Sequence, residues 1–189
     1  SNVWEEYLIA FLTQSGYSEA QISRAVEILT RTANGSGSLY ERNQAVYKLL
    51  RYGVPVKTEA GKVTDSVFLV DWQEPYRNDF AIAEEVTLRG NHERRPDIVL
   101  YLNGIAIAVL ELKRSSVSIG DGIRQNISNQ LPEFNEWFFS TVQLVLAGNN
   151  SEGLQYGTIG TQEKYFLKWK EDEDDNTRFK LDKYLLKLC

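Results

Sequence analysis

At 189 residues, 42% hydrophobic and 25% charged, the chain has the size and composition of a soluble globular protein with a proper buried core. Its net charge of −5 excludes a domain that coats nucleic acid by bulk electrostatics, and neither a run of the ~20 apolar residues that span a bilayer nor a signal peptide is expected. The single cysteine, Cys189, leaves no internal disulfide and suits a reducing cytoplasm; with one histidine, His92, it leaves no ligand set for zinc.

Residues 1–53 read as mainly helical. Trp4, Tyr7, Leu8, Phe11 and Leu12 recur at helical spacing until Gly16. Ser18 with Gln21, and Ser38 with Glu41, are capping boxes that each open an apolar-periodic segment, with a loop at residues 34–38 between them. From Val54 the pattern changes to strands: 54–58 and 63–70 around a turn at 59–62, then 80–88, 97–102 and 105–113. The last two are apolar at nearly every position, as in strands covered on both faces. Asp121 is the expected cap of a helix reaching Gln130, and Pro132 opens a short helical stretch with Phe134, Trp137 and Phe138. Strands at 142–147 and 155–159 follow. An acidic run at 171–175 and a C-terminal helix through Phe179, Leu181, Tyr184, Leu185 and Leu188 close the pattern. The expected class is α/β, a mixed central β-sheet flanked by helices with an N-terminal helical segment. One domain is expected, with residues 54–170 forming the sheet core and 1–53 packed on it.

Chemistry concentrates on the apolar pair. Asp97 stands at the start of one strand, and Glu111 and Lys113 share a face near the end of the next. Ionisable groups on buried strands need compensation, because an unpaired buried charge is very costly. A divalent metal and a phosphate supply it. Whether Asp97 meets Glu111 depends on the turn at Asn103-Gly104. A two-residue turn sets Asp97 opposite Leu110, on the wrong face. A three-residue loop including Ile105 sets it across from Glu111, with Cβ atoms ~4.5–5.5 Å apart. The three-residue register is the expected one. Two facing carboxylates repel, and Mg²⁺, which favours oxygen ligands, reverses the repulsion. The main-chain carbonyl of Leu112 is expected to join the two acids. The expected chemistry is metal-dependent phosphodiester hydrolysis, with Arg89, Arg94, Arg95, Lys113, Arg114 and Arg124 as a basic rim. The competing reading is a Glu111–Lys113 ion pair at a frayed strand end.

Pro96-Asp97 with Glu111-Leu112-Lys113 resembles the PD-(D/E)xK nuclease superfamily. More closely, the chain resembles the N-terminal domain of the restriction (R) subunit of type I restriction-modification enzymes. That likeness runs through Asn43 to Val56, Leu69 to Trp72, Asn78 to Phe80, Arg94 to Val99, Gly122 to Asn126, Thr141 to Val145 and Tyr156 to Ile159. The resemblance implies a restriction-endonuclease-like core, with Asp97 and Glu111 as Mg²⁺ ligands (Mn²⁺ as a substitute) and Lys113 as the catalytic lysine. It makes Gln125 the glutamine of a Gln-x-x-x-Tyr motif, whose tyrosine slot holds Asn129. Arg94, Arg95, Arg114, Arg124 and Gln125 become candidate contacts to duplex DNA. An additional glutamate from an N-terminal helix points equally to Glu5 or Glu6.

The implied activity is type I deoxyribonuclease cleavage in the cytoplasm, alongside methylation (M) and specificity (S) subunits. ATP belongs to motor domains not seen here, since no Gly-x-x-x-x-Gly-Lys-[Ser/Thr] loop occurs. On that reading residues 171–189 are an acidic loop and the start of a linker to the motor, and the fragment alone cuts poorly. Alternatives are a non-catalytic docking module of the same subunit, or another nuclease of the superfamily such as a junction resolvase. His92 reads as a solvated loop residue. Asp65, Asp71 and Asp79 read as turn residues, and Trp72, Trp137 and Trp169 as core rather than base-stacking groups. Ser115-Ser116 lacks the relay a nucleophile needs.

Overall fold

The protein is described from a computed structural model that covers residues 1–57, 64–90, 92–170 and 181. The expected turn at 59–62, the acidic run and most of the C-terminal helix fall outside those residues; Leu181 is helical and buried. The architecture is mixed α/β, as expected: a six-stranded sheet in the order β3-β4-β5-β6-β7-β8, a small β1-β2 sheet, flanking helices and an N-terminal helical segment. The chain divides into two compact units. The first comprises Ser1–Ala81, Leu100–Ile107 and Trp137–Thr141; the second comprises Ile82–Val99, Ala108–Glu136 and the chain from Val142 onward.

The first unit holds α1 (Glu5–Gln14), α2 (Glu19–Ala33) and α3 (Leu39–Tyr52), then β1 (Val54–Val56) paired antiparallel with β2 (Asp65–Val67). Both capping boxes form: Ser18 and Ser38 each accept the N–H three residues on, and Gln21 and Glu41 reach back to the cap N–H. Leu8, Leu12, Ala25, Leu29 and Val46 of the helices make a fully buried core with Val54 and Val67 of the strands. Of the residues expected at helical spacing, Leu8, Phe11 and Leu12 are buried, whereas Trp4 and Tyr7 are exposed.

In the second unit lie most of β3 (Phe80–Glu84), the start of β4 (Ile98–Leu102), the end of β5 (Ile105–Leu112) and α4 (Ile119–Asn129). It also contains β6 (Leu144–Asn149), β7 (Gly153–Gly157) and β8 (Leu167–Lys168), the last of these not expected from sequence. Of the helical stretch expected from Pro132, a four-residue helix forms, α5 (Glu136–Phe139). β5 and β6 are parallel, in register Glu111↔Ala147 and Leu112↔Gly148, with α4 as their crossover; β6-β7 and β7-β8 are antiparallel. The cap of α4 is Ser118 rather than Asp121, because the hydroxyl of Ser118 accepts the Gly120 N–H at 3.2 Å and the helix therefore starts earlier.

The three-residue loop does not form. Asn103 and Gly104 alone make the turn, with φ of 50° and 78°, as in a type I′ hairpin, and Ile105 already opens β5. The fully buried Asn103 fixes this choice. Its Nδ2 donates to Leu69 O and Asn78 Oδ1, both at 2.9 Å, and its Oδ1 accepts the Asp79 N–H at 2.7 Å. A Cβ on Gly104 would stand 2.5 Å from Trp4 O, so glycine is required there for space as well as for φ. Counted from this turn, position 97 falls across from Leu110. Asp97 nonetheless reaches the Glu111 side, because the chain bends at Asp97 and β4 begins only at Ile98. A residue outside the pleat does not obey its alternation.

Candidate active site

Burial places Glu111 deep in the sheet: its side chain is 1% exposed, between the β4 hairpin on one side and β6 on the other. Asp97 comes to it from the bend. Asp97 Oδ2 accepts the Leu112 N–H at 2.7 Å, while the Asp97 carbonyl accepts the Glu85 N–H at 2.9 Å. An extended residue sends its N–H and C=O out on the same edge, so the Leu112 carbonyl leaves toward Asp97. The next residue points the other way, and the Lys113 N–H bonds Gly148 O at 2.9 Å. Lys113 then directs Nζ to Gln125 Oε1 at 2.7 Å. Helix α4 brings Gln125 there by lying close on the sheet at Gly122, where a Cβ would meet the Ala147 side chain at 3.2 Å and Lys113 Cγ at 3.4 Å. Asp97, Glu111, Leu112, Lys113 and Gln125 thus lie together.

The electrostatics are those of two carboxyl groups held close together, one of them buried. Burial first, and Asp97 second, push the Glu111 carboxyl up from 4.5 to about 8, against the opposing influence of Lys113 and Arg94. The Glu111–Lys113 contact is long, 3.8 Å to Oε2, and Glu111 Oε1 is buried with no hydrogen-bond partner among the described residues. A frayed-end ion pair does not fit that description. A hard divalent cation does: the donors on offer are carboxylate and carbonyl oxygens, and Mg²⁺ keeps several waters of its own. Among the described residues no group of three or more His, Cys, Asp and Glu side chains is placed to hold a metal, so the two acids would need that carbonyl and water to complete the shell.

The basic rim is uneven. Arg124 is bound to Asp121 and, at 2.6 Å, to Glu163, and Arg95 pairs with Glu85 at 3.3 Å. Arg89 and Arg114 are exposed. Arg94 is held by a backbone bridge to Leu88 (2.8 and 3.1 Å) and lies over the Phe134 ring at 4.1 Å. His92 is exposed and packs on the same ring, 5.4 Å between centroids. Glu5 and Glu6 are exposed residues of α1, in the first unit. Asp71 serves a turn, its Oδ1 accepting the Gln73 and Glu74 N–H groups. The tryptophans are not core residues. Trp72 is 50% exposed, with Nε1 bonded to Leu50 O and Arg51 over its ring; Trp137 and Trp169 are partly buried. Asn129, in the tyrosine slot, is fully buried, and neither its Oδ1 nor its Nδ2 has a partner among the described residues.

Two features escaped the sequence reading. Phe134 was expected in a helix, not as a platform for Arg94. Glu152 Oε2 accepts the Ile119 N–H at 2.7 Å and Asn149 Nδ2 at 2.8 Å, while Asn149 also donates to Val117 O at 2.9 Å. The β6-β7 turn thereby pins the segment joining Lys113 to α4. Asn149 to Glu152 offered only a generic turn signal.

Comparison with known proteins identifies the family. Residues 2–164 match the family described as "Type I restriction enzyme R protein N terminus". The chain is 30% identical over 168 residues to the type I restriction enzyme HindI endonuclease subunit of Haemophilus influenzae, covering 83% of this chain and 16% of that protein. It is 26% identical over 155 residues to the putative type I restriction enzyme MjaIXP endonuclease subunit of Methanocaldococcus jannaschii, covering 76% and 14%. With the Escherichia coli type I restriction enzyme EcoprrI endonuclease subunit it shares 23% over 121 residues, covering 61% and 38%. The chain therefore spans about a sixth of the length of the first of these relatives. A match over most of its residues leads to one conclusion: the chain belongs to the family of type I restriction enzyme R protein N-terminal regions.

Proposed function

We propose that this chain is the Mg²⁺-dependent endonuclease region of a type I restriction subunit, hydrolysing phosphodiester bonds of duplex DNA in the cytoplasm after ATP-driven translocation by motor domains elsewhere in the subunit. The observation that carries the reading is the convergence of Asp97, Glu111, Lys113 and Gln125 around a buried carboxylate oxygen that lacks a partner. Asp97 and Glu111, with the Leu112 carbonyl, would hold the metal. When bound, Mg²⁺ supplies Lewis-acid stabilisation of charge on the phosphate and a more acidic water. Gln125 orients Lys113, whose ammonium has three donors; one goes to Gln125 Oε1, and the others are available to the attacking water or a phosphate oxygen. The M and S subunits would supply the recognition of a DNA site.

The names of the relatives support endonuclease work, and the geometry favours catalysis over a docking role. The test is the full-length subunit in its complex, with Asp97→Asn, Glu111→Ala and Lys113→Ala. Cleavage of plasmid DNA is expected to vanish in each while ATP hydrolysis and translocation persist. Retained cutting by any one of them removes that residue from the chemistry, and retained cutting by all three leaves the docking module.

A further inference from the structure

Arg94 is placed unlike the other arginines of the rim. Its backbone is locked by the paired bonds with Leu88, and the next turn of chain carries Pro96 and Asp97. Its guanidinium carbon lies over the Phe134 ring, 4.1 Å from the centroid, and its charge acts on Glu111. Its Nε is buried and has no hydrogen-bond partner among the described residues. Arg95 and Arg124 spend their charge on nearby acids, and no ion pair is seen for Arg94 among the described residues. A guanidinium seated over an aromatic ring, with no acid paired to it, keeps N–H donors for a planar, two-oxygen partner. Phe134 is itself set by the Phe134 N–H bonded to Leu131 O at 3.0 Å, and Asn135 beside it reaches the same Leu88 carbonyl through Nδ2 at 3.5 Å. The arginine therefore sits in a built cradle.

Charge bookkeeping points to the ligand. Asp97 and Glu111 as carboxylates, with Lys113 and Arg94 as cations, sum formally to zero. A divalent cation raises the sum to two, which matches a phosphodiester whose charge grows from one toward two as a fifth oxygen approaches phosphorus. We propose that Arg94, seated on Phe134, binds non-bridging oxygens of the scissile phosphate and stabilises their charge during hydrolysis, a catalytic role separate from that of Lys113. This rests on the nuclease reading above and adds a phosphate-binding residue to it. No electron transfer is involved: a water oxygen bonds to phosphorus, a P–O ester bond breaks, and Arg94 keeps its protons throughout.

The experiment uses the full-length subunit in its complex, with Asp97→Asn, Arg94→Ala, Arg94→Lys and Phe134→Leu, and follows cleavage and ATP hydrolysis across a Mg²⁺ titration. Arg94→Ala is expected to lower the cleavage rate at saturating Mg²⁺ by about a hundred- to a thousandfold, the usual loss for one donor aimed at developing charge, with ATP hydrolysis unchanged. Arg94→Lys keeps the stem and charge but not the fork, and is expected to stay below roughly a tenth of the normal rate. Phe134→Leu is expected to lose several-fold, because the guanidinium stays but its platform does not. Added guanidinium ion should restore part of the activity of Arg94→Ala. Normal cutting by Arg94→Lys overturns the proposal even if the alanine variant fails to fold. A loss cancelled by raising Mg²⁺ also overturns it, since that marks a support to the metal site. If Asp97→Asn still cuts, the nuclease reading itself has failed; if it is dead and Arg94→Ala cuts normally, only the role of Arg94 is lost.

Discussion

Glu111→Gln removes the titratable group from the most deeply buried position of the site and changes little else in shape. In the metal-free chain the Glu111 carboxyl is lifted from 4.5 to about 8, chiefly by burial and then by Asp97. A raised carboxyl pKa means that the folded state holds the proton more tightly than the unfolded state does. Its stabilising share is therefore full below pH 4.5 and is lost as pH climbs toward about 8. At about 1.4 kcal/mol per unit, keeping this acid buried at pH 7 costs roughly 3 kcal/mol relative to pH 4. Glutamine does not titrate. The stability of Glu111→Gln relative to the parent chain should thus rise by about 3 kcal/mol between pH 4.5 and pH 7, roughly 6–12 °C in Tm for a chain of this size. Thermal or urea unfolding of both proteins in chelator at a series of pH values measures it. Any fixed cost of the amide appears as a pH-independent offset. A gap between the two proteins that stays constant from pH 4.5 to pH 8 refutes the reasoning.

Mg²⁺ or Mn²⁺ should raise the Tm of the parent chain and leave those of Glu111→Gln and Asp97→Asn unmoved, since a ligand stabilises only the fold that binds it. Because Glu111 must give up its proton to bind the ion, calorimetric affinity should rise with pH up to about 8. A flat profile places the metal elsewhere. Asn103→Ala should cost about 3 kcal/mol in unfolding experiments, from two donors and one acceptor lost at a buried site plus a left-handed φ that alanine tolerates poorly. Ser38→Ala, which deletes one capping box, should cost about 1 kcal/mol. Gln125→Leu should leave Mg²⁺ binding intact and slow cleavage by the full-length subunit, because Lys113 loses its 2.7 Å orienting bond.

Signals that depend on neighbours in sequence could be read in advance. Ser18 with Gln21 and Ser38 with Glu41 announce their own caps, and the apolar runs at 98–102 and 105–112 announce buried strands. The charged candidates were equally legible, because Asp97, Glu111 and Lys113 are the only charged residues between positions 97 and 113. What failed was the turn. Glycine at 104 fits either loop length, and the choice was made by Asn103, whose side chain is held by Leu69, Asn78 and Asp79, more than twenty residues away. Asp97 still comes to the Glu111 side, but through the bend at 97 rather than through a longer loop, because alternation holds only inside a strand. Contacts across distant segments, such as Arg94 on Phe134 or Glu152 on Ile119, leave no local trace at all.

The tight Asn103-Gly104 corner also orders events in time. Asp97 and Glu111 lie on the two arms of one hairpin, and such ribbons zip in ~1–10 µs. The glutamine that steadies Lys113 arrives only with α4 and the parallel pairing of β5 to β6, a crossover whose longer loop closes later. The two acids are therefore brought face to face in a half-built chain, before their positively charged neighbour has been settled. Divalent cations present during refolding should accordingly speed the early phase, and chelators should slow it, independently of any effect on the finished protein.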